Sequence, residues 1–333
     1  MSKLLLAHPH INLQRVTMDS KSERRRFLQS SKFAYKVLLP SLLFVLVFIA
    51  LPMFYSIRVA FTDYKYGVPT GKPILFKNFT DIFTDPTIAP MFYKSLAITF
   101  EFAAIAVIMV VTISLAIALL LNERFRGSSV IKVALLLPYA LPGVVGAVIW
   151  KWIYNPTFGI LDYVLQSLGI IKDYIAFTGD SHYALFTILF AYIWKFVPYS
   201  TFLFTAGLST IPKSVYEAAR MDGSSLFNTF RRITIPLLMP VFQLVLVIQT
   251  IFALVYHFSL LYVITRGGPG DATRTLAWLI YNESFSFGRY GRGAAEAVIL
   301  ALIMIFFIYL YLVVLDPGRR AARKQSRQQK ANA

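Results

Sequence analysis

The chain has 333 residues, of which 57% are hydrophobic and only 15% charged, with a mean hydropathy of +0.62. A soluble globular domain carries about 45–50% apolar and about 25% charged residues, so that class is excluded, and so is disorder, which needs low hydrophobicity. Cysteine is absent, which removes disulfides, thiolate metal sites and cysteine nucleophiles. The net charge of +17 would suit nucleic acid in a soluble chain, so its placement decides what it means.

A membrane-crossing helix needs about 20 mostly apolar residues, because the hydrocarbon core is about 30 Å thick and each residue rises about 1.5 Å. Charge-free runs predict six spans. The first three are Val37–Ile57, Phe102–Asn122 and the short Val133–Trp150. The fourth, Tyr183–Leu208, is interrupted only by Lys195; the fifth lies near Leu237–Leu260 and the sixth at Ala297–Leu315. The expected organisation is a basic tail at 1–36, a six-span domain at 37–315 and a second basic tail at 316–333.

With the N-terminus inside, the segments 1–36, 122–132, 209–232 and 316–333 hold 21 of the 33 Lys+Arg, the outer segments hold 11, and Lys195 is the remaining one. The positive-inside rule then places both termini in the cytoplasm. The basic excess reads as an orientation signal and a contact for anionic lipid. The polar lead-in of 36 residues is too long for a cleaved signal peptide, so the first span is expected to be retained.

The most patterned inner segment is the loop 209–240. Pro212 suits the first turn of a helix, along which Val215, Ala218, Ala219 and Asp222 share a face, with Glu217 beside it. Gly223 ends that helix where a left-handed residue is needed. Ser224 or Ser225 can cap a second helix carrying Phe227, Phe230 and Ile233 as an apolar stripe. Two short helices hinged on a glycine make a compact knob, and small alanines let another backbone come close.

Glu217-Ala-Ala-Arg-Met-Asp-Gly223, followed by Ile233-Thr-Ile-Pro-Leu-Leu238, closely resembles the EAA motif of binding-protein-dependent ABC importer permeases. The run Leu137–Trp150, Asn155-Pro-Thr-Phe-Gly159 and Arg266-Gly-Gly-Pro269 resemble the sugar-permease (MalF-like) branch. The likeness covers roughly residues 36–316 with its blocks in order; Ser224 departs from the usual alanine, and the N-terminal extension has no family role.

The resemblance implies an all-α polytopic membrane protein of the type I ABC importer permease fold, in a bacterial or archaeal cytoplasmic membrane. It implies a second six-span permease, two cytoplasmic ATPase subunits that bind ATP and Mg, and an extracytoplasmic solute-binding protein. On that model this chain holds no cofactor. Glu217 makes a charged contact in the ATPase cleft, Asp222 and Gly223 fix the turn, and Ala218 and Ala219 allow close docking.

Polar residues inside a span usually face a cavity or another protein. Tyr192, Lys195 and Tyr199 share a face at i, i+3 and i+7, and Gln249, Tyr256 and His257 lie in or near the fifth span. Aromatic and hydrogen-bonding side chains suit a saccharide. A positive charge favours a carboxylate or phosphate on it, such as a uronate of the alginate type; a neutral disaccharide and a glycerol phosphate stay open. So do structural readings, with Lys195 paired to a partner permease, to Glu101 or to Glu296, and the tyrosines serving as interface anchors. Pro138, Pro142, Gly143 and Gly146 suggest either a broken helix lining a path or close packing through small residues. The outer segment Arg266–Asp271 is expected to be a turn.

Other signals fail. Gly67-Val-Pro-Thr-Gly-Lys72 is one residue short of a phosphate-binding loop and lacks the following Ser/Thr. Gly291-Arg-Gly293 lacks the context of a dinucleotide site, and none of the four histidines forms a His-Glu-x-x-His pair. An ion-driven transporter would need acidic residues at mid-span, where only Lys195 lies deep. A membrane enzyme would need a catalytic cluster near one membrane face, and the sequence offers none.

Overall fold

The computed structural model describes residues 33, 35–67, 71–123 and 125–315. The tail 316–333, nearly all of 1–36 and the centre of the Gly67–Lys72 segment fall outside it. The chain divides into two compact units, residues 1–56 and 57–333. The described part of the first unit is most of α1 (Tyr35–Ala60), which carries no charge between Lys36 and Arg58. Its polar Ser41 is satisfied locally, donating to the carbonyl of Leu38 at 2.8 Å.

The second unit is helical: α2 (Lys77–Thr84), α3 (Ala89–Asn122), α4 (Ser128–Ala140), α5 (Gly143–Ile153), α6 (Ile160–Ser167), α7 (Ser181–Ser209) and α8 (Lys213–Met221). It continues through α9 (Leu226–Ile264), α10 (Leu276–Tyr281) and α11 (Tyr290–Val314). Among the described residues, α1, α3, α7, α9 and α11 are long and apolar enough to cross a membrane, and α4 with α5 forms a sixth, bent by 99°.

Every span starts before its predicted first residue, α3, α9 and α11 by the most. α3 begins at Ala89 rather than Phe102, with Pro90 in its first turn. Its entry is set by Asp85, whose carboxylate accepts the N–H groups of Thr87 and Ile88 at 2.8 and 3.1 Å. Glu101, which marked the predicted boundary, is simply exposed on the helix side. α11 likewise begins at Tyr290, taking in Glu296, and α9 runs on past both predicted ends.

α3 lies along α7, with Phe102 packed edge-on against Tyr192 and small residues buried on both helices. Ser95, Thr99, Ala103, Ala106 and Ser114 on α3 are buried, as are Ala184, Ala191 and Ser200 on α7. In a bilayer, helices gain little by burying apolar area, so close approach through small side chains is what holds them. Gly207 takes this furthest: a Cβ there would lie 2.6 Å from Val241 Cγ2 and 3.0 Å from Leu238 Cδ2 of α9. Thr99 also joins α3 to α10. Its hydroxyl donates to the Ser95 carbonyl at 2.6 Å and accepts the Leu276 N–H at 2.7 Å, which satisfies an otherwise orphaned donor at the α10 N-terminus.

Candidate functional site

The turn between α7 and α9 projects as a knob. Pro212 precedes α8, and Asp222 closes it. Gly223 then adopts φ +70°, while its N–H donates to the Arg220 carbonyl at 3.0 Å and the Ser224 N–H to that of Ala219 at 2.9 Å. These bonds satisfy carbonyls that a helix end would leave free. Ser225 caps α9, its hydroxyl accepting the Asn228 N–H at 3.3 Å.

Tyr216 ties the knob back to the span at its Thr234 hydroxyl, 3.3 Å away. Glu217, Ala218 and Asp222 are exposed, whereas Ala219 is buried. Met221, Leu226 and Phe227 are strongly exposed, so Phe227 leaves the expected stripe while Phe230 and Ile233 stay half-buried. A groove of about 590 Å³ runs between α8 and the start of α9, past Ala218, Asp222 and Arg232.

The third span breaks at Leu141 and Pro142, both extended in backbone. Lys195, half-buried on α7, donates to the Leu141 carbonyl at 2.6 Å. Its partner is therefore a backbone oxygen freed by the break, and neither Glu101 nor Glu296. Tyr199, one turn on, stacks on Tyr139 of α4 at 5.1 Å. The aromatic strip continues through Phe252, 6.0 Å from Tyr199, to Tyr256, 4.9 Å further. Tyr139 and Tyr256 are 41% and 59% exposed, so the strip has an open edge. Across the break, Gly143 sits against Ser259, where a Cβ would come within 2.7 Å of the hydroxyl.

Tyr192, Gln249 and His257 lie elsewhere. All three are fully buried. The Tyr192 hydroxyl donates to Gln249 Oε1 at 3.1 Å, Gln249 Nε2 donates to Ser200 Oγ at 2.8 Å, and His257 Nε2 lies 2.8 Å from Thr275 Oγ1. The six residues expected from the sequence to contact a substrate thus separate into an accessible set, Lys195, Tyr199 and Tyr256, and a set bonded inside the chain.

We expect Gln249→Leu to lower the stability of the folded protein by about 1 kcal/mol. Adding Tyr192→Phe to it should cost little more, because that hydroxyl has already lost its side-chain acceptor. Thermal unfolding of the detergent-solubilised protein measures this. A raised KM for transported substrate with unchanged stability would instead move the pair into the pathway.

At the opposite ends of the helices, a cavity of about 760 Å³ is bordered by Asn78, Asp85, Glu283, Arg292 and Glu296. Arg289 and Arg292 both reach Glu283 at 3.4 Å, and neither oxygen of the buried Glu296 has a hydrogen-bond partner. The segment Arg266–Asp271 is a turn, as expected, with φ of +52° at Arg266 and +82° at Gly267. A side chain at Gly267 would run into the Trp278 indole. Thr273 Oγ1 holds the turn by donating to the Gly268 carbonyl at 2.8 Å, and Asp271 pairs with Arg274 at 2.6 Å. The sequence did not single out Tyr139, the Leu141 carbonyl or the Glu283 cluster. Only the paired prolines at 138 and 142 hinted at the second of these.

These features define a polytopic helical membrane protein with a helical knob, α8, between its fourth and fifth crossings. Residues 108–321 match the family model described as binding-protein-dependent transport system inner membrane component, and the chain belongs to that family. It is similar to the trehalose/maltose transport system permease protein MalF of Thermococcus litoralis, 34% identical over 89% of this chain and 98% of the relative. It is similar too to the sn-glycerol-3-phosphate transport system permease protein UgpA of Brucella abortus, 31% identical over 81% of this chain and 90% of the relative.

The fold is that of a permease chain in the crystal structure of a bacterial ABC transporter involved in the import of the acidic polysaccharide alginate. The match has a TM-score of 0.74 at 20% identity and covers 87% of this chain and 97% of that one. The protein is a multi-pass inner-membrane transport component with the ABC importer permease fold, and not an enzyme.

Proposed function

We propose that this chain is the permease subunit of an ATP-binding-cassette importer for a carbohydrate, an oligosaccharide by preference, and forms half of the translocation pathway with a second six-span permease. A solute-binding protein delivers the sugar to the face bearing the Arg266–Asp271 turn. Two separate ATPase subunits, which bind ATP and Mg, dock on the cytoplasmic face at loop 209–240. Both termini then lie in the cytoplasm. The observation that carries this reading is the exposed α8 knob, closed at Gly223, rooted directly in two crossing helices and grooved beside Ala218 and Asp222.

In this reading Glu217 and Ala218 meet the ATPase, Ala219 packs α8 onto its own chain so that the knob moves with the spans, and Asp222 and Gly223 hold the turn. Lys195, Tyr199 and Tyr256 contact the sugar, while Tyr192, Gln249 and His257 support them from behind. Names of relatives favour a sugar, with glycerol phosphate as the second reading.

Purification of the complex from its native membrane in mild detergent, with mass identification of every subunit, tests the assembly. The expected result is a second six-span permease and an ATPase in stoichiometric amounts. Recovery of this chain alone, active in uptake without ATP, would overturn the proposal in favour of an ion-driven carrier.

A further inference from the structure

The charge at the middle of α7 has an unusual partner. Lys195 carries three N–H donors and no acceptor, and among the described residues no carboxylate lies within ion-pair distance of it. Its ammonium instead spends one donor on Leu141 O at 2.6 Å and lies 5.9 Å from the Phe196 ring centre. Leu141 gains a partner there, because a helix break leaves carbonyls without intrahelical donors. The two features answer one another: a cation with no carboxylate beside it donates to a carbonyl left free at the break.

The arrangement is also exchangeable. A neutral carbonyl is a weaker partner for an ammonium than a carboxylate or phosphate oxygen, with which the bond is charge-assisted at both ends. The strip Tyr139–Tyr199–Phe252–Tyr256 brings a hydroxyl-bearing aromatic edge alongside the same turn of α7, suited to the face of a sugar ring. An oxyanion on a sugar lying along that strip would meet Lys195.

Resting on the carbohydrate-permease reading above, we propose that Lys195 is the specificity-determining residue for an anionic substrate. It exchanges the Leu141 carbonyl for a substrate carboxylate or phosphate, so that binding of the anion releases the break in the third span. The shared chemistry is an oxyanion on a polyhydroxylated molecule, whether a uronic acid carboxylate or a phosphate ester.

The test is uptake by the complete importer, with its own binding protein, in proteoliposomes. The probes are a uronate tetrasaccharide, glycerol 3-phosphate and a neutral tetrasaccharide. Lys195→Gln keeps a donor for Leu141 while removing the charge, and Lys195→Arg keeps the charge. Wild type is expected to take up the uronate or the phosphate ester, and which of them distinguishes the two sources. Lys195→Gln should lower that uptake at least tenfold with the loss in KM, while Lys195→Arg stays well above it.

Three results would overturn the proposal: wild-type uptake of the neutral sugar alone, equal losses on charged and neutral probes, or Lys195→Gln and Lys195→Arg behaving alike. Absence of ATP-dependent uptake of every probe by the wild type would instead sink the carbohydrate-importer reading beneath it.

Discussion

Replacing Gly223 by proline is expected to abolish uptake and substrate-stimulated ATP hydrolysis while leaving membrane insertion intact. Gly223 sits at φ +70°, whereas proline is locked near −65° and has no N–H to give to Arg220. The α8 terminus must then unwind or redirect α9, and the knob loses its shape. The effect should grade with backbone freedom. Asparagine, which tolerates the left-handed region, should keep most activity, and valine should keep little.

Glu217→Ala probes the same surface without touching the turn. Glu217 is exposed and makes no ion pair among the described residues. Its loss should therefore lower coupled hydrolysis at least tenfold with α8 intact. Both variants are read by labelled-sugar uptake and ATPase rate in proteoliposomes. Unchanged uptake in Gly223→Pro and Glu217→Ala together would remove the coupling role of this loop.

The second large effect is on assembly of the spans. Gly207→Leu forces a branched side chain into a gap where even a Cβ would meet Val241 Cγ2 at 2.6 Å. Overpacking of this kind costs about 1–3 kcal/mol, and here it would also separate α7 from α9. Gly207→Ala should cost less, since one methyl displaces Val241 and Leu238 less than a branched side chain does, although Val241 is stiff at χ1 and must itself shift. The midpoint of thermal unfolding in detergent should fall for both, and further for leucine than for alanine. Equal midpoints for leucine and wild type would contradict the close approach of α7 and α9.

The spans were legible because hydrocarbon admits so few alternatives: a long uncharged run has to be a helix. Their ends were not, for a related reason. Glu101 and Glu296 were read as boundaries, yet a helix does not stop at a charge. It stops where the chain turns, as at the turn ahead of α3 that Asp85 holds through the N–H groups of Thr87 and Ile88. Gly223 was readable from local chemistry alone, because no other residue type takes its conformation so cheaply. The partner of Lys195 was beyond reach. It is a main-chain oxygen 54 positions away, exposed by a kink whose 99° angle prolines announce but do not aim. Burial of Tyr192, Gln249 and His257 was hidden likewise, since helical spacing names a face and not what covers it.

One helix bears on how such a machine could keep time. α9 runs for 39 residues, with a turn at His257, about 58 Å at 1.5 Å per residue, from the cap at Ser225 to a point just short of Arg266. The turn that carries Phe252 and Tyr256 is wound wider than its neighbours, as is the turn at Phe230–Thr234, and such loosened turns recur at working positions in helices. The aromatic strip and the knob are thus two stations on a single rod, each beside its own soft joint. On the proposed coupling of sugar to nucleotide, a stiffening substitution at either joint is expected to show as lost synchrony between the two rather than as lost affinity for either.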